Sequence, residues 1–159
     1  MSGDVYVGVV GAGVSAAGTD RLAEQVGRLL GERGAVVVCG GMTGVMEAVC
    51  RGAKGAGGTT LGILPGRDRR AANPYVDVAV PTGMGEMRNA LIARTADVLI
   101  AVGGEFGTLS EIALALKLGK PVVGLGTWEL SKQGVASDAI VRAADPAEAV
   151  ATALSLVSP

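Results

Sequence analysis

Ala101-Val102-Gly103-Gly104-Glu105-Phe106-Gly107-Thr108-Leu109-Ser110-Glu111 is the stretch on which the reading of this chain turns. The apolar run Val98 to Val102 before it reads as a buried strand, and the segment Thr108 to Leu118 after it as a helix. Three glycines lie between them and open into Thr-x-x-Glu. A strand that ends in glycines and feeds a helix start is a ready anion site. Its free backbone N–H groups and the positive end of the helix dipole point the same way.

Working outward, the pattern repeats. Val5 to Val10 reads as a first strand, ended by Gly11-Ala12-Gly13. A helix capped by Thr19 follows, with Leu22, Val26, Leu29 and Leu30 at helical spacing and Gly31 and Gly34 closing it. Ala35 to Cys39 is a second strand, ending at Gly40-Gly41-Met42-Thr43-Gly44, with a helix over Val45 to Ala53. Thr59 to Leu64 is a third strand and Asp77 to Val80 a short fourth, with a polar loop from Arg67 to Tyr75 between them. Met84 to Ala96 reads as a helix and Val122 to Leu125 as a sixth strand. Trp128 to Gly134 reads as loop, Ala139 to Val141 as a short edge strand, and Ala147 to Leu156 as a last helix with Pro146 at its first position and Asp145 as its cap.

Strands alternating with helices at this spacing imply βαβ units: a Rossmann-like, doubly wound parallel α/β sheet of six to seven strands. At 159 residues the whole chain, 1–159, reads as a single domain. In such sheets ligands bind beyond the carboxyl ends of the strands, at the switch point. The glycine turns after strands one, two and five all fall there. That makes Gly11, Gly13, Gly40, Gly41, Thr43, Gly44, Gly104, Glu105, Phe106, Gly107 and Thr108 candidates for holding a phosphorylated ligand.

Composition removes several classes. Apolar residues make up 49% and charged residues 18%, enough for a real core. There is no histidine, which excludes His-based acid–base catalysis and His-ligated metals. Cys39 and Cys50 are too few for a zinc site or a disulfide framework, so no metal site is expected. The net charge is −1 and the densest basic run, Arg67-Asp68-Arg69-Arg70, carries an acid, so no nucleic-acid partner is expected. No apolar run approaches the roughly 18–20 residues of a membrane span, and the chain reads as a cytoplasmic protein. A dinucleotide fingerprint starting at Gly11 and Gly13 fails at Ala16, and Cys39-Gly40 stands where a ribose-binding acid belongs, which argues against NAD.

Two side chains stand out. Arg88 shares a helical stripe with Met84, Leu91 and Ile92; it either pairs with Glu86 or Asp97 or projects into the crevice towards an anionic ligand. Glu111 completes Thr108-Leu109-Ser110-Glu111, a capping-box pattern, yet the same placement sets a carboxylate one turn from the anion site.

These residues resemble the Lonely Guy (LOG) family, once labelled lysine decarboxylase-like. The resemblance lies in Glu86-Met87-Arg88, Ala96-Asp97 and Gly104-Glu105-Phe106-Gly107-Thr108-Leu109-Ser110-Glu111, with Gly40-Gly41-Met42-Thr43-Gly44-Val45-Met46 upstream. The family signature is P-G-G-x-G-T-x-x-E after an Arg-bearing helix. The resemblance implies a phosphoribohydrolase that cleaves the N-glycosidic bond of AMP or an N6-modified AMP, with Gly107 and Thr108 on the phosphate and Arg88 and Glu111 catalytic. It implies no required cofactor and a homodimer or higher homo-oligomer. The chain departs from the signature: Gly103-Gly104-Glu105 replaces Pro-Gly-Gly, and Asn89 replaces a basic residue. In this it looks like the compact branch with the molybdenum-cofactor carrier proteins, which implies the alternative of a non-catalytic carrier of that cofactor. Glu105 either adds a second acid or repels a phosphate. Decarboxylation is rejected, since Lys54, Lys117 and Lys120 lack any motif for pyridoxal phosphate.

Overall fold

The structure, a computed structural model, describes residues 4–157. In chain order the elements are β1 (Tyr6–Gly11), α1 (Ala17–Glu32), β2 (Val36–Cys39), α2 (Val45–Gly55), β3 (Thr59–Leu64), β4 (Val78–Pro81), α3 (Asn89–Thr95), β5 (Val98–Val102), α4 (Phe106–Lys117), β6 (Val122–Leu125), β7 (Ser131–Lys132), β8 (Val135–Ala136), β9 (Ile140–Arg142) and α5 (Pro146–Val157). Seven strands form one sheet in the order β4-β3-β2-β1-β5-β6-β9, every neighbouring pair parallel. The expected doubly wound sheet is therefore present. No helix among the described residues is long and apolar enough to cross a membrane.

The strands are continuous apolar runs because both faces are covered. All residues of β2 and β5 are buried. Alternate residues serve opposite layers. Val7, Val9, Val37, Val98 and Ile100 pack with Val26 and Leu30 of α1, Val49 of α2 and Val150 of α5. Val10, Val38, Leu99 and Ala101 pack with Ile92 of α3 and Ile112 of α4. The chain winds outward through β2, β3 and β4, returns to lay β5 beside β1, and continues through β6 to β9. β1 and β5 are in register from Val7–Val98 to Gly11–Val102, so both strands release their turns at the same level.

Element starts account for most differences from expectation. α1 begins at Ala17 with Ala16 as N-cap, so Thr19 lies in its first turn and caps nothing. α4 begins at Phe106 with Glu105 as N-cap, two residues before the expected start. The helix expected from Met84 is a 3₁₀ turn over Gly85–Arg88 followed by α3. Gly83 and Gly85 there adopt φ of 65° and 59°, outside the helical region, which delays the regular helix. The segment read as loop after Trp128 contains the hairpin β7–β8, turning at Gln133-Gly134 with φ of 53° and 77°; Gln-Gly is a weaker hairpin signal than Asn-Gly. At α5 the Asp145 carboxylate accepts from the Glu148 amide at 2.8 Å, as expected of its cap.

α1 and α2 approach closely through Gly27 and Gly52. A Cβ on Gly27 would lie 2.0 Å from the Val49 carbonyl oxygen, and one on Gly52 2.0 Å from that of Glu24. Gly27→Ala is expected to cost about 3 kcal/mol, because rigid backbone must move apart to admit the methyl group. Denaturant unfolding will show this as a lower midpoint, whereas Gly55→Ala, where the Cβ meets nothing within 4 Å, will not.

Candidate functional site

Along the carboxyl edge of the sheet, the turns after β1 and β5 and the start of α3 enclose a cleft of about 600 Å³. Gly11, Gly13, Gly40, Gly104, Glu105, Gly107 and Thr108 line it, together with Arg88 and Glu111. The other candidates do not. Thr43 is exposed and donates its hydroxyl to the Gly13 carbonyl at 2.7 Å, bracing one glycine turn against the other. Gly41 abuts Leu64, and Gly44 abuts the Ala12 carbonyl. Phe106 is 76% exposed, and its ring packs 5.4 Å from that of Trp128.

The start of α4 builds one wall. Glu105 occupies the N-cap position but its side chain does not cap the helix. Among the described residues, nothing accepts from the amides of Phe106, Gly107 and Thr108. Thr108 is the third helical residue and is 3% exposed, yet no partner bonds its hydroxyl. Gly104 makes room for it: with φ of 103°, a Cβ there would lie 2.4 Å from Thr108 Oγ1.

Glu111 stands one turn further along the same wall, 7% exposed. It is the sixth residue of α4 rather than the third, so the capping box expected of Thr108–Glu111 does not form. No hydrogen bond or ion pair reaches its carboxyl group among the described residues. Burial pushes its pKa up to about 8, against the opposing pull of the Arg88 charge.

Arg88 closes the 3₁₀ turn before α3 and reaches back beneath the strands. Its Nε donates to the Ile63 carbonyl at 2.8 Å, one Nη donates to Asn89 Oδ1, and the other reaches the Gly40 carbonyl at 3.5 Å. The expected alternative of a pair with Glu86 or Asp97 is not realised; the Asp97 carboxylate instead accepts from the Tyr6 amide. Burial lowers the guanidinium pKa, and Glu111 opposes that shift. Asn89 is also buried and lines the cleft, its Nδ2 donating to Ser110 at 3.3 Å. Under the Gly40 turn lie the free thiols Cys39 and Cys50, 3.4 Å apart; the bond from Cys50 holds the Cys39 pKa down.

Among the lining residues that sequence reasoning missed are Val14, Thr19, Met46 and Asn89. Thr19 carried a signal, a Gly-Thr pair like Gly107-Thr108, but a capping role absorbed it. Val14 and Met46 have ordinary apolar character, and nothing in the pattern marks them.

Residues 4–150 match the model of the SLOG cluster4 family. The chain belongs to that family. Its LOG-like character and its kinship with the molybdenum-cofactor branch are borne out by individual relatives. The molybdenum cofactor binding protein of Rippkaea orientalis superposes with a TM-score of 0.91 at 35% identity, covering 99% of this chain and 100% of that one. The molybdenum cofactor carrier protein of Chlamydomonas reinhardtii gives 0.84 at 35% identity, covering 98% and 99%. The probable cytokinin riboside 5'-monophosphate phosphoribohydrolase of rice, Oryza sativa subsp. japonica, is 36% identical over 93 residues, 57% of this chain but 38% of that protein. In this SLOG member no lysine lines the cleft, and Lys54 instead pairs with Asp77 at 2.7 Å.

The buried Glu111 carboxyl makes stability depend on pH. Its folded pKa lies above its ordinary value of 4.5, so between there and about 8 the folded state binds more protons than the unfolded state. Stability from this group is present below the ordinary value and falls as pH rises through that window, with a slope approaching roughly 1.4 kcal/mol per pH unit. Unfolding curves measured across the window are expected to flatten in Glu111→Gln.

Proposed function

We propose that this chain is a cytoplasmic protein that binds a phosphorylated small molecule at the start of α4 and acts on it as a nucleoside 5'-monophosphate phosphoribohydrolase. The observation that carries this reading is the wall of α4. Thr108 and Glu111 are both buried, both without a partner, and both open to one cleft beside Arg88. Free first-turn amides and the helix dipole suit a phosphate there. Beyond it a ribose would meet Arg88 and Glu111. Water is the nucleophile in this reading. Glu111 is largely neutral at neutral pH in the free protein, and a cationic sugar beside it would favour its carboxylate form. Arg88, with its Nε and one Nη bonded to protein groups, is held in place to fix the ribose and to steady that carboxylate.

A second reading has its own support: the two molybdenum-cofactor proteins align with the chain over nearly its whole length. The cleft fits that group in part. The same free amides of α4 would take its phosphate, and the buried thiols of Cys39 and Cys50 are not among the groups lining the cleft. In that case the protein holds its ligand without reaction.

We also propose assembly as a homodimer through α4. Exposed Ala113, exposed Leu118 at its end, and half-buried Leu109, Leu114 and Leu116 along its flanks leave apolar surface beside the chain's own core that a second copy would cover.

Incubation with AMP separates the readings. Release of free adenine, lowered at least about 100-fold in Glu111→Gln with AMP affinity retained, is the expected result. Tight binding of AMP or molybdopterin without base release would favour the carrier, and failure to bind either would remove both. By sedimentation, wild type is expected as a dimer and Leu118→Glu as a monomer.

A further inference from the structure

The start of α4 is not the cleft's only helix start. α1 begins beside it, and the two are built alike: Ala17-Gly18-Thr19 fills the first three positions of α1, and Phe106-Gly107-Thr108 those of α4. Each helix therefore carries glycine second and threonine third. The strands that feed them, β1 and β5, are hydrogen-bonded neighbours, and both threonines line the cleft. The turn that leads from β5 into α4 passes close by the first turn of α1, for a Cβ on Gly103 would lie 3.2 Å from Thr19 Cγ2. Among the described residues, nothing accepts from the amides of Ala17, Gly18 and Thr19, and the Thr19 hydroxyl has no partner. Thr108, buried and equally without a partner, faces the same space.

Charge balance gives this pairing a reason. The ionisable side chains lining the cleft are Arg88, Glu105 and Glu111. With Glu111 largely neutral, Arg88 and Glu105 cancel. One helix start supplies about +0.5 of an elementary charge, which is a weak hold on a phosphate dianion beside a carboxylate; two supply about +1. Asp20 lies in the first turn of α1, but its carboxylate accepts from the Ser15 hydroxyl and does not line the cleft.

We propose that Thr19 and the start of α1 form the second jaw of the phosphate site, so that a terminal phosphomonoester is held between two Gly-Thr helix starts. This rests on the phosphorylated-ligand reading above. A group gripped from two sides must present free oxygens to both. A phosphomonoester has three such oxygens, whereas a cyclic phosphodiester has two and a single charge. The second jaw lets the site tolerate Glu105 where the LOG signature has glycine.

Calorimetric titration with AMP, inorganic phosphate and 3',5'-cyclic AMP tests this. Thr19→Val and Thr108→Val are each expected to weaken AMP and phosphate binding about tenfold, the loss of one hydrogen bond to a charged group, and Thr19→Ser to restore it. Gly18→Asp provides a variant that keeps the fold. Its Cβ meets nothing within 4 Å, and an acid in the first turn favours the helix while repelling the phosphate. It is expected to weaken binding more than Thr19→Val without lowering the unfolding temperature. Cyclic AMP is expected to bind at least about tenfold more weakly than AMP. If Thr108→Val weakens binding while Thr19→Val and Gly18→Asp leave it unchanged, the second jaw is overturned and the single-helix site stands. If cyclic AMP binds as well as AMP, the preference for a monoester is overturned. If wild type binds neither AMP nor phosphate, the phosphorylated-ligand reading falls, and the second jaw with it.

Discussion

The parallel pairing of β1 with β5 is the constraint on which the rest of this structure depends. The chain winds in one direction from β1 to β4 and in the other from β5 to β9, so the turns leaving β1 and β5 part to opposite layers. Neither turn can cover the other, and a crevice between them is a geometric necessity. Five register pairs end at Gly11–Val102, which brings α1 and α4 to the crevice at one height. The apolar residues of both strands fix this register, since a slip of one residue would turn each strand's buried set towards the wrong layer.

The cleft combines few charges with much desolvation. Arg88 is spread over the Ile63 carbonyl, Asn89 and the Gly40 carbonyl, so it links the start of α3 to the ends of β2 and β3 while facing the cleft. Glu111 has no such support and answers burial by holding its proton. The two groups attract, yet no ion pair joins them. A buried pair without further hydrogen bonds would be costly, and the separation leaves each side chain available to a third group.

Much of this was legible in the sequence. The alternation of Val-rich runs with helical spacing gave the sheet, its parallel sense and the location of the crevice, because both periods are properties of the chain itself. Arg88, Glu111 and the glycines around Gly104 came from motif spacing and share one cleft in the structure. Local patterns misled where they had more than one use. Thr108-Leu109-Ser110-Glu111 satisfies a capping box, but Phe106 and Gly107 enter the helix first, and this moves Glu111 from the rim to the interior. Thr19 reads as a cap, but α1 has already started at Ala17. Helix starts depend on where the preceding turn releases the chain, and that is decided by tertiary contacts rather than by the four residues of a cap. Thr43 and Gly44 show the same limit: they belong to a glycine turn, and packing alone decides that the turn braces another instead of opening to the cleft.

The two layers flanking the sheet are unequal. One is built from α1, α2 and α5, with 16, 11 and 12 residues; the other from α3 and α4, with 7 and 12. Cooperative opening begins where the least apolar surface must be exposed. In a single subunit, fluctuations that release amide protons to solvent should therefore start with α3 and α4 while α1 and α2 stay closed. Arg88, Asn89, Thr108 and Glu111 all sit on the yielding layer, whereas Thr19 sits on the resistant one. A ligand seated between the layers would slow exchange in the thinner one most, and so report its own arrival in the kinetics of α3 and α4.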